Sequence, residues 1–221
     1  MQYNHQSSVQ IPSSDSILAR NKVLRQTYIL LGMNVLFSAV CAYIGMLMNV
    51  NIPTVLYFVG FLGLSFAVQA TRNSGMGIIL LFALTGFLGF SVAKILNLYF
   101  VNNMGGVVVK ALFGSAIIFF SLSAYALISG KNFSFLGGFL LVGFLVAFLA
   151  SLGALFFHMP ALQVVCSGAF LLIFSGYVLY DTSAIMRGEQ DNYILATLNL
   201  FLNLFNIFIS LLNILGSLNR N

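Results

Sequence analysis

Seven runs of apolar residues, each long enough to cross a lipid bilayer, constrain the fold of this 221-residue chain more than any other feature. A transmembrane helix needs about 20 mostly apolar residues. The breaks between the runs are short and rich in turn-forming residues. The runs lie at residues 26–48, 52–70, 75–101, 107–128, 133–157, 161–186 and 193–216. The sequence therefore predicts an all-α integral membrane protein with seven transmembrane helices and no soluble domain.

The composition agrees with a lipid bilayer as the principal partner. The chain is 60% hydrophobic and 6% charged, whereas soluble domains are about 45–50% apolar and about 25% charged. The net charge of +5 is scattered and forms no basic run, which argues against a nucleic-acid partner. Cys41 and Cys166 lie inside apolar runs without a ligand-spaced neighbour, so we predict no metal site and no cofactor.

The charged residues predict the domain organisation and the orientation. The polar residues 1–25 predict a flexible cytoplasmic tail, and residues 26–221 the transmembrane domain. Lys and Arg near helix ends favour the cytoplasmic side. With the tail inside, six cations lie inside and three outside: Arg20, Lys22, Arg25, Arg72, Lys131 and Arg187 against Lys94, Lys110 and Arg220. This distribution predicts a cytoplasmic N-terminus and a C-terminus on the opposite side.

A polar stripe runs along the last apolar segment. Its members are Asn199, Asn203, Asn206, Ser210, Asn213 and Ser217, spaced 4, 3, 4, 3 and 4 residues apart. The mean step is close to the 3.6 residues of a helical turn, so all six lie on one face. An unpaired amide costs several kcal/mol in lipid. The stripe therefore predicts that helix 7 is central and surrounded by the other helices, and that its amides either join helices or line a polar path.

Asp181 is the one acid of four that falls within a predicted transmembrane helix. It lies about 8 Å from the end of helix 6, and an ionisable group at such depth suggests a function. Arg72 and Arg187 are the candidate counter-ions. Helix 7 begins at the end of the bundle where helix 6 finishes, so Asn199 and Asn203 lie at a depth similar to that of Asp181 or somewhat deeper. We therefore predict a contact between Asp181 and helix 7. The alternative is an Asp near the interface that reaches water.

The sequence offers no constellation of catalytic residues. An intramembrane aspartyl protease needs a second Asp in a Gly-x-Gly-Asp setting, and the chain has none. It also lacks an HExxH stretch, a Walker loop and a Gly-x-Gly-x-x-Gly stretch. His5 and His158 lie outside the predicted helices, so a Ser–His dyad within the membrane is excluded. We therefore predict that the protein is not an enzyme.

Several stretches together carry a family resemblance. They are "KVLRQTYILL", "LTGFLGFSVAKILN", "SAYALISGKNFSFLGG", "MPAL", "YDTSAIMRGEQDNYILAT" and "LFNIFISLLNILG". From about residue 22 to the C-terminus the chain resembles the Bax-inhibitor (TMBIM) superfamily, and within it the bacterial YccA-like branch. The resemblance implies seven helices, with the seventh enclosed by the other six. It also implies the bacterial inner membrane, which would place the C-terminus in the periplasm.

The resemblance further implies a regulatory function. Members of the YccA-like branch modulate the membrane protease FtsH, associate with it and its HflK–HflC partners, inhibit it, and can be its substrates. Other bacterial members are pH-sensitive calcium leaks gated by a carboxylate pair, one each in helices 6 and 7. Asp181 matches the first position and Asn203 occupies the second. The alternative function is thus a calcium or proton leak between helices 6 and 7, with these two residues as candidate pH- and ion-sensing positions.

Overall fold

A computed structural model describes residues 14–219, with the side chains of residues 14–17 and 19 excepted. All the regular secondary structure in this range is α-helical. The helices are α1 (Ser14–Leu47), α2 (Thr54–Ala70), α3 (Gly75–Val101), α4 (Gly105–Ser129), α5 (Leu136–Phe156), α6 (Pro160–Arg187) and α7 (Tyr193–Leu218). The predicted all-α class is confirmed.

Six of the helices in the described range are long and apolar enough to cross a membrane. The exception is α2, whose 17 residues make it about 25 Å long. The first helix begins at Ser14, so the boundary predicted between residues 25 and 26 falls inside α1. The predicted tail is corrected accordingly for residues 14–25, while residues 1–13 and Arg220 lie outside the described range.

Helix α7 packs mainly against α6, α4 and α1, and it also touches α3 and α2. Within the described residues α5 contacts α6 but not α7. The prediction that all six other helices surround α7 is therefore wrong for α5. The reason is that the outer face of α6 carries its own apolar cluster, in which Ile173 packs against Leu140 and Ala147 of α5.

Helices α1 and α3 approach closely because α3 presents glycines at their contact. A methyl group added at Gly89 would overlap the carbonyl oxygen of Ser38. One added at Gly86 would come within 2.8 Å of the Phe37 ring. Small residues at helix contacts permit such approach in membrane proteins, where tight packing replaces the hydrophobic driving force.

Three interhelical loops meet at one end of the bundle. Asn192 Nδ2, in the α6–α7 loop, donates to the carbonyl oxygen of Arg72 in the α2–α3 loop at 2.9 Å. Ser183 Oγ donates to the carbonyl oxygen of Lys131 in the α4–α5 loop, also at 2.9 Å. We call this the loop-cluster end. The α1–α2 loop lies at the opposite end, near the C-terminus of α3.

Candidate functional site

Asp181 of α6 and Asn203 of α7 meet inside the bundle. Asn203 Nδ2 donates to Asp181 Oδ2 at 2.7 Å. Asn203 is buried and Asp181 is partly buried. Asn199, one turn earlier in α7, also interacts with the Asp181 carboxyl group. The predicted contact between Asp181 and helix 7 is confirmed, and the arrangement sets two amides of α7 beside one carboxyl group of α6.

The candidate counter-ions do not reach this carboxyl group. Arg187 binds Glu189 instead, with Nε to Oε1 and Nη2 to Oε2 both at 2.7 Å, and it also donates to Ser183. Arg187 follows Asp181 by six residues, which turns it about 240° around α6. Arg72 is exposed, and among the described residues the ion pair found is that between Arg187 and Glu189. The assignment of both arginines as counter-ions is therefore wrong.

The pairing of Arg187 and Glu189 belongs to the α6–α7 loop. The bidentate hydrogen bonds from the guanidinium hold the pKa of the exposed Glu189 carboxyl below its usual value. The same guanidinium reaches back to Ser183, whose Oγ also accepts from the backbone N–H of Phe133 at 3.3 Å. Ser183 thus contacts both Arg187 and the α4–α5 loop, and so connects the end of α6 to that loop.

The polar stripe of α7 lies in three different environments. Asn203 and Ser210 are buried, while Asn206 is partly buried and donates to the carbonyl oxygen of Leu202 on its own helix at 2.8 Å. Asn213 is exposed and, with Ser217, lines a polar cavity of about 320 Å³ between α6 and α7. The stripe therefore joins helices at Asp181, is satisfied within α7 at Asn206, and opens into a cavity at its C-terminal end.

Asn192 is a structural residue that our reading of the sequence did not single out. Its Oδ1 accepts from the backbone N–H groups of Ile194 and Leu195 at 3.0 and 3.1 Å, so it caps the N-terminus of α7. Its Nδ2 donates to the carbonyl oxygen of Arg72 and to Asn73 Oδ1. An Asn directly before an apolar helix is a typical N-cap, and this signal could have identified it.

A second polar pair missed from the sequence lies between α1 and α3. Thr85 Oγ1 donates to Asn34 Oδ1 at 2.8 Å, and Asn34 Nδ2 donates to the carbonyl oxygen of Leu30. Asn34 and Thr85 are both wholly buried. Thr27, Asn34 and Ser38 are all buried and lie 7 and 4 residues apart, so they share one face of α1. That spacing could have indicated a protein-facing side of α1, but it does not identify Thr85 as the partner.

Comparison with known families identifies the relatives of this bundle. The family model described as "Inhibitor of apoptosis-promoting Bax1" matches residues 20–220, nearly the whole chain. The chain belongs to the Bax-inhibitor family. The match includes the α6–α7 block with Asp181 and Asn203, and it confirms the resemblance drawn from the sequence.

Bacterial relatives of this Bax-inhibitor family member align over almost their full lengths. A protein of Escherichia coli strain K12, named "Modulator of FtsH protease YccA", is 44% identical over 207 residues, covering 93% of this chain and 94% of the relative. An Escherichia coli O6:H1 protein named "Inner membrane protein YccA" aligns with the same figures. An uncharacterised Pasteurella multocida protein is 45% identical over 191 residues, covering 86% of this chain and 87% of its own.

Proposed function

We propose that this protein is a multi-pass protein of the bacterial inner membrane that binds and modulates the protease FtsH. The observation that carries the proposal is the 44% identity to the Escherichia coli FtsH modulator over 93% of the chain. Alignment over such a share of both chains supports a shared function more strongly than a local match would. The proposal assigns no catalytic step to the protein, which acts by contact.

The proposed topology has seven spans with a cytoplasmic N-terminus and a periplasmic C-terminus. Helix α2 adds one span to the six longer helices, because the loops that flank it lie at opposite ends of the bundle. Asn51 before α2 accepts from Lys94 near the end of α3, whereas Arg72 after α2 accepts from Asn192 at the loop-cluster end. Six of the nine cations then lie on the cytoplasmic side, as the rule for positive residues expects.

The proposed mechanism makes the protein a slow substrate and thereby an inhibitor. FtsH would grip residues 1–13 and pull on α1. Contacts at the loop-cluster end would oppose the unfolding of α1. Arg20 Nη1 donates to the carbonyl oxygen of Met186 at 3.1 Å and so connects α1 to the end of α6. Asn192 fastens α7 to the α2–α3 loop. A protease held on a bundle that yields slowly is unavailable to other substrates.

Affinity capture from native membranes tests the proposal. A C-terminally tagged protein, solubilised in mild detergent, should enrich FtsH together with HflK and HflC. The control is an equally expressed, equally tagged membrane protein of seven helices from another family. Recovery of FtsH at the level of that control would contradict the proposal.

The second candidate function is a pH-sensitive calcium or proton leak along the seam of α6 and α7. The contact of Asp181 with Asn203 favours it, because it lies where a carboxylate pair would form the gate. It ranks second because an Asn in place of the second acid removes the like-charge repulsion on which such a switch depends.

Measuring calcium flux into proteoliposomes distinguishes the leak from the FtsH-modulating function. Asn203→Asp should create flux that differs between about pH 6 and pH 8, because two adjacent carboxyl groups titrate as a coupled pair. Unchanged flux in the folded variant would contradict a latent gate. Strong flux in the wild type that Asp181→Asn abolishes would make the leak the leading function.

A further inference from the structure

A pocket of about 270 Å³ lies where the α1–α2 loop meets the C-terminal part of α3. Its lining is mostly apolar, and its polar groups come from one lysine and three asparagines. Lys94 Nζ donates to Asn51 Oδ1 at 3.0 Å. Asn97 Nδ2 donates to Asn49 Oδ1 at 2.7 Å. The four side chains thus form two neighbouring hydrogen-bonded pairs at the pocket wall.

The hydrogen bonds of these pairs leave donors for a ligand. A lysine ammonium has three N–H donors and no acceptor, and one donor of Lys94 is used by Asn51. The carboxamide oxygens of Asn49 and Asn51 already accept, so the groups that both asparagines can still offer are mainly their Nδ2–H donors. A cation surrounded by N–H donors is suited to an anion.

Within residues 14–219, no side-chain carboxylate lies near enough to serve as that anion. The four acids are Asp15 near the start of α1, Asp181 in the last part of α6, and Glu189 and Asp191 in the α6–α7 loop. All of them lie towards the loop-cluster end, and the pocket lies at the opposite end. The positive charge of Lys94 is therefore unbalanced by any side-chain carboxylate at its own end of the bundle.

The depth of the pocket matches the headgroup region of a bilayer. The 27 residues of α3 extend about 40 Å, close to the thickness of a bilayer with its headgroups. Lys94 precedes the last residue of α3 by seven positions, so its backbone lies about 10 Å below the helix end. Its side chain reaches Asn51 in the loop, so in a bilayer that matches the length of α3 the ammonium would lie towards the headgroups.

We propose that Lys94, Asn49 and Asn51 bind the phosphate of a phospholipid in the leaflet at the C-terminal end of α1. The apolar residues on the same side support a lipid as the source of the phosphate. Leu98 and Val101, which also line the pocket, are 54% and 75% exposed and provide a surface for acyl chains. A phosphate in this position balances the charge of Lys94 and accepts from the donors of both asparagines.

Native mass spectrometry of the purified full-length protein, titrated with phosphatidylglycerol, tests the site. Lys94→Met should weaken binding of the first lipid about fivefold, the effect of one surface lysine on an anionic lipid. Asn51→Asp should weaken it at least as much, because the new carboxylate neutralises Lys94 and repels phosphate. Lys94→Arg should retain binding. Lys110→Met is the matched control, since Lys110 is an exposed lysine of α4 outside the pocket.

Two further ligands establish what the pocket recognises. Diacylglycerol, which has the acyl chains without the phosphate, should bind equally weakly to the wild type and to Lys94→Met. Inorganic phosphate at millimolar concentration should displace little phosphatidylglycerol. Equal lipid binding by the wild type, Lys94→Met and Asn51→Asp would overturn the proposal. Tight binding of inorganic phosphate without binding of phosphatidylglycerol would overturn the assignment to a lipid.

Discussion

Asn203 in α7 donates a hydrogen bond of 2.7 Å to the carboxyl group of Asp181 in α6. The bond joins the two helices at Asp181, the acid that lies inside one of the candidate membrane spans of the described residues. An amide partner leaves this site with one titratable proton, whereas two carboxyl groups would share theirs. The contact therefore serves first as a connection between helices, and it retains the geometry from which a pH-sensitive pair could be built.

Replacing Asn203 should destabilise the bundle more than replacing Asn206. Asn203→Leu removes a donor from a partly buried carboxyl group and should lower the free energy of unfolding by about 1–3 kcal/mol. Asn206→Leu removes a bond made within α7 and should cost less than about 1 kcal/mol, near the mean for membrane hydrogen bonds. Reversible unfolding in mixed micelles measures both. Equal losses for the two variants would contradict the special position of Asn203.

The contact of α1 with α3 should depend on Gly89. Gly89→Ala places a methyl group against the backbone of Ser38, which cannot move away without shifting α1, and should cost about 1–3 kcal/mol. The control is Gly63→Ala in α2, where an added methyl group meets nothing within 4 Å. That change should be neutral or slightly stabilising, since Ala favours helices over Gly. Thermal unfolding in detergent compares the two, and a smaller loss at Gly89 than at Gly63 would refute the assignment.

The helices and the main contact of the site could be predicted from sequence because each had a local or periodic signal. Apolar runs of membrane length located all seven helices. For most helix ends, the predicted and observed bounds differ by no more than a few residues. The 4-and-3 spacing in α7 set Asn203 on a protein-facing side, and the depth of Asp181 made their contact predictable. The start of α1 was placed too late, because a polar segment that continues a membrane helix has no apolar signal.

Other features depend on packing that a single sequence does not encode locally. Arg187 is close to Asp181 in sequence. The turn of α6 and the neighbouring Glu189 nevertheless direct its guanidinium to the α6–α7 loop. The absence of α5 from the surroundings of α7 follows from which face of α6 carries the Ile173 cluster. Asn34 and Thr85 form a hydrogen bond across 51 residues of sequence. The spacing of buried polar residues on α1 indicates a protein-facing side, but it does not identify the residue on α3 that pairs with Asn34.

Reporter fusions test the proposed topology. Reporters placed before Gln26 and after Leu218 should lie on opposite sides of the membrane, as an odd number of spans requires. Reporters inserted after Asn51 and after Asn73 should also lie on opposite sides, because α2 crosses between them. The same side for the second pair would show that α2 does not span, and the same side for the first pair would refute seven spans.

Removing residues 2–13 should lengthen the lifetime of the protein in cells. The deletion leaves α1 and the cations Arg20, Lys22 and Arg25 in place, so topology should be unchanged. A processive protease starts at one end of its substrate, so pulse-chase should show slower turnover of the shortened protein where FtsH is active. Replacing the same residues with Gly and Ser in equal number should restore turnover. Identical lifetimes for all three forms, independent of FtsH, would show that FtsH does not begin degradation at residues 2–13.

The most direct test of the proposed function is the effect of the protein on FtsH activity in reconstituted membranes. Purified FtsH degrades a second, unrelated membrane substrate in proteoliposomes, and this protein is added at increasing ratios. The proposal predicts that the half-life of the second substrate lengthens as the ratio rises, while this protein is itself degraded slowly. A half-life that stays unchanged at a large excess of the folded protein would contradict the proposal that it modulates FtsH.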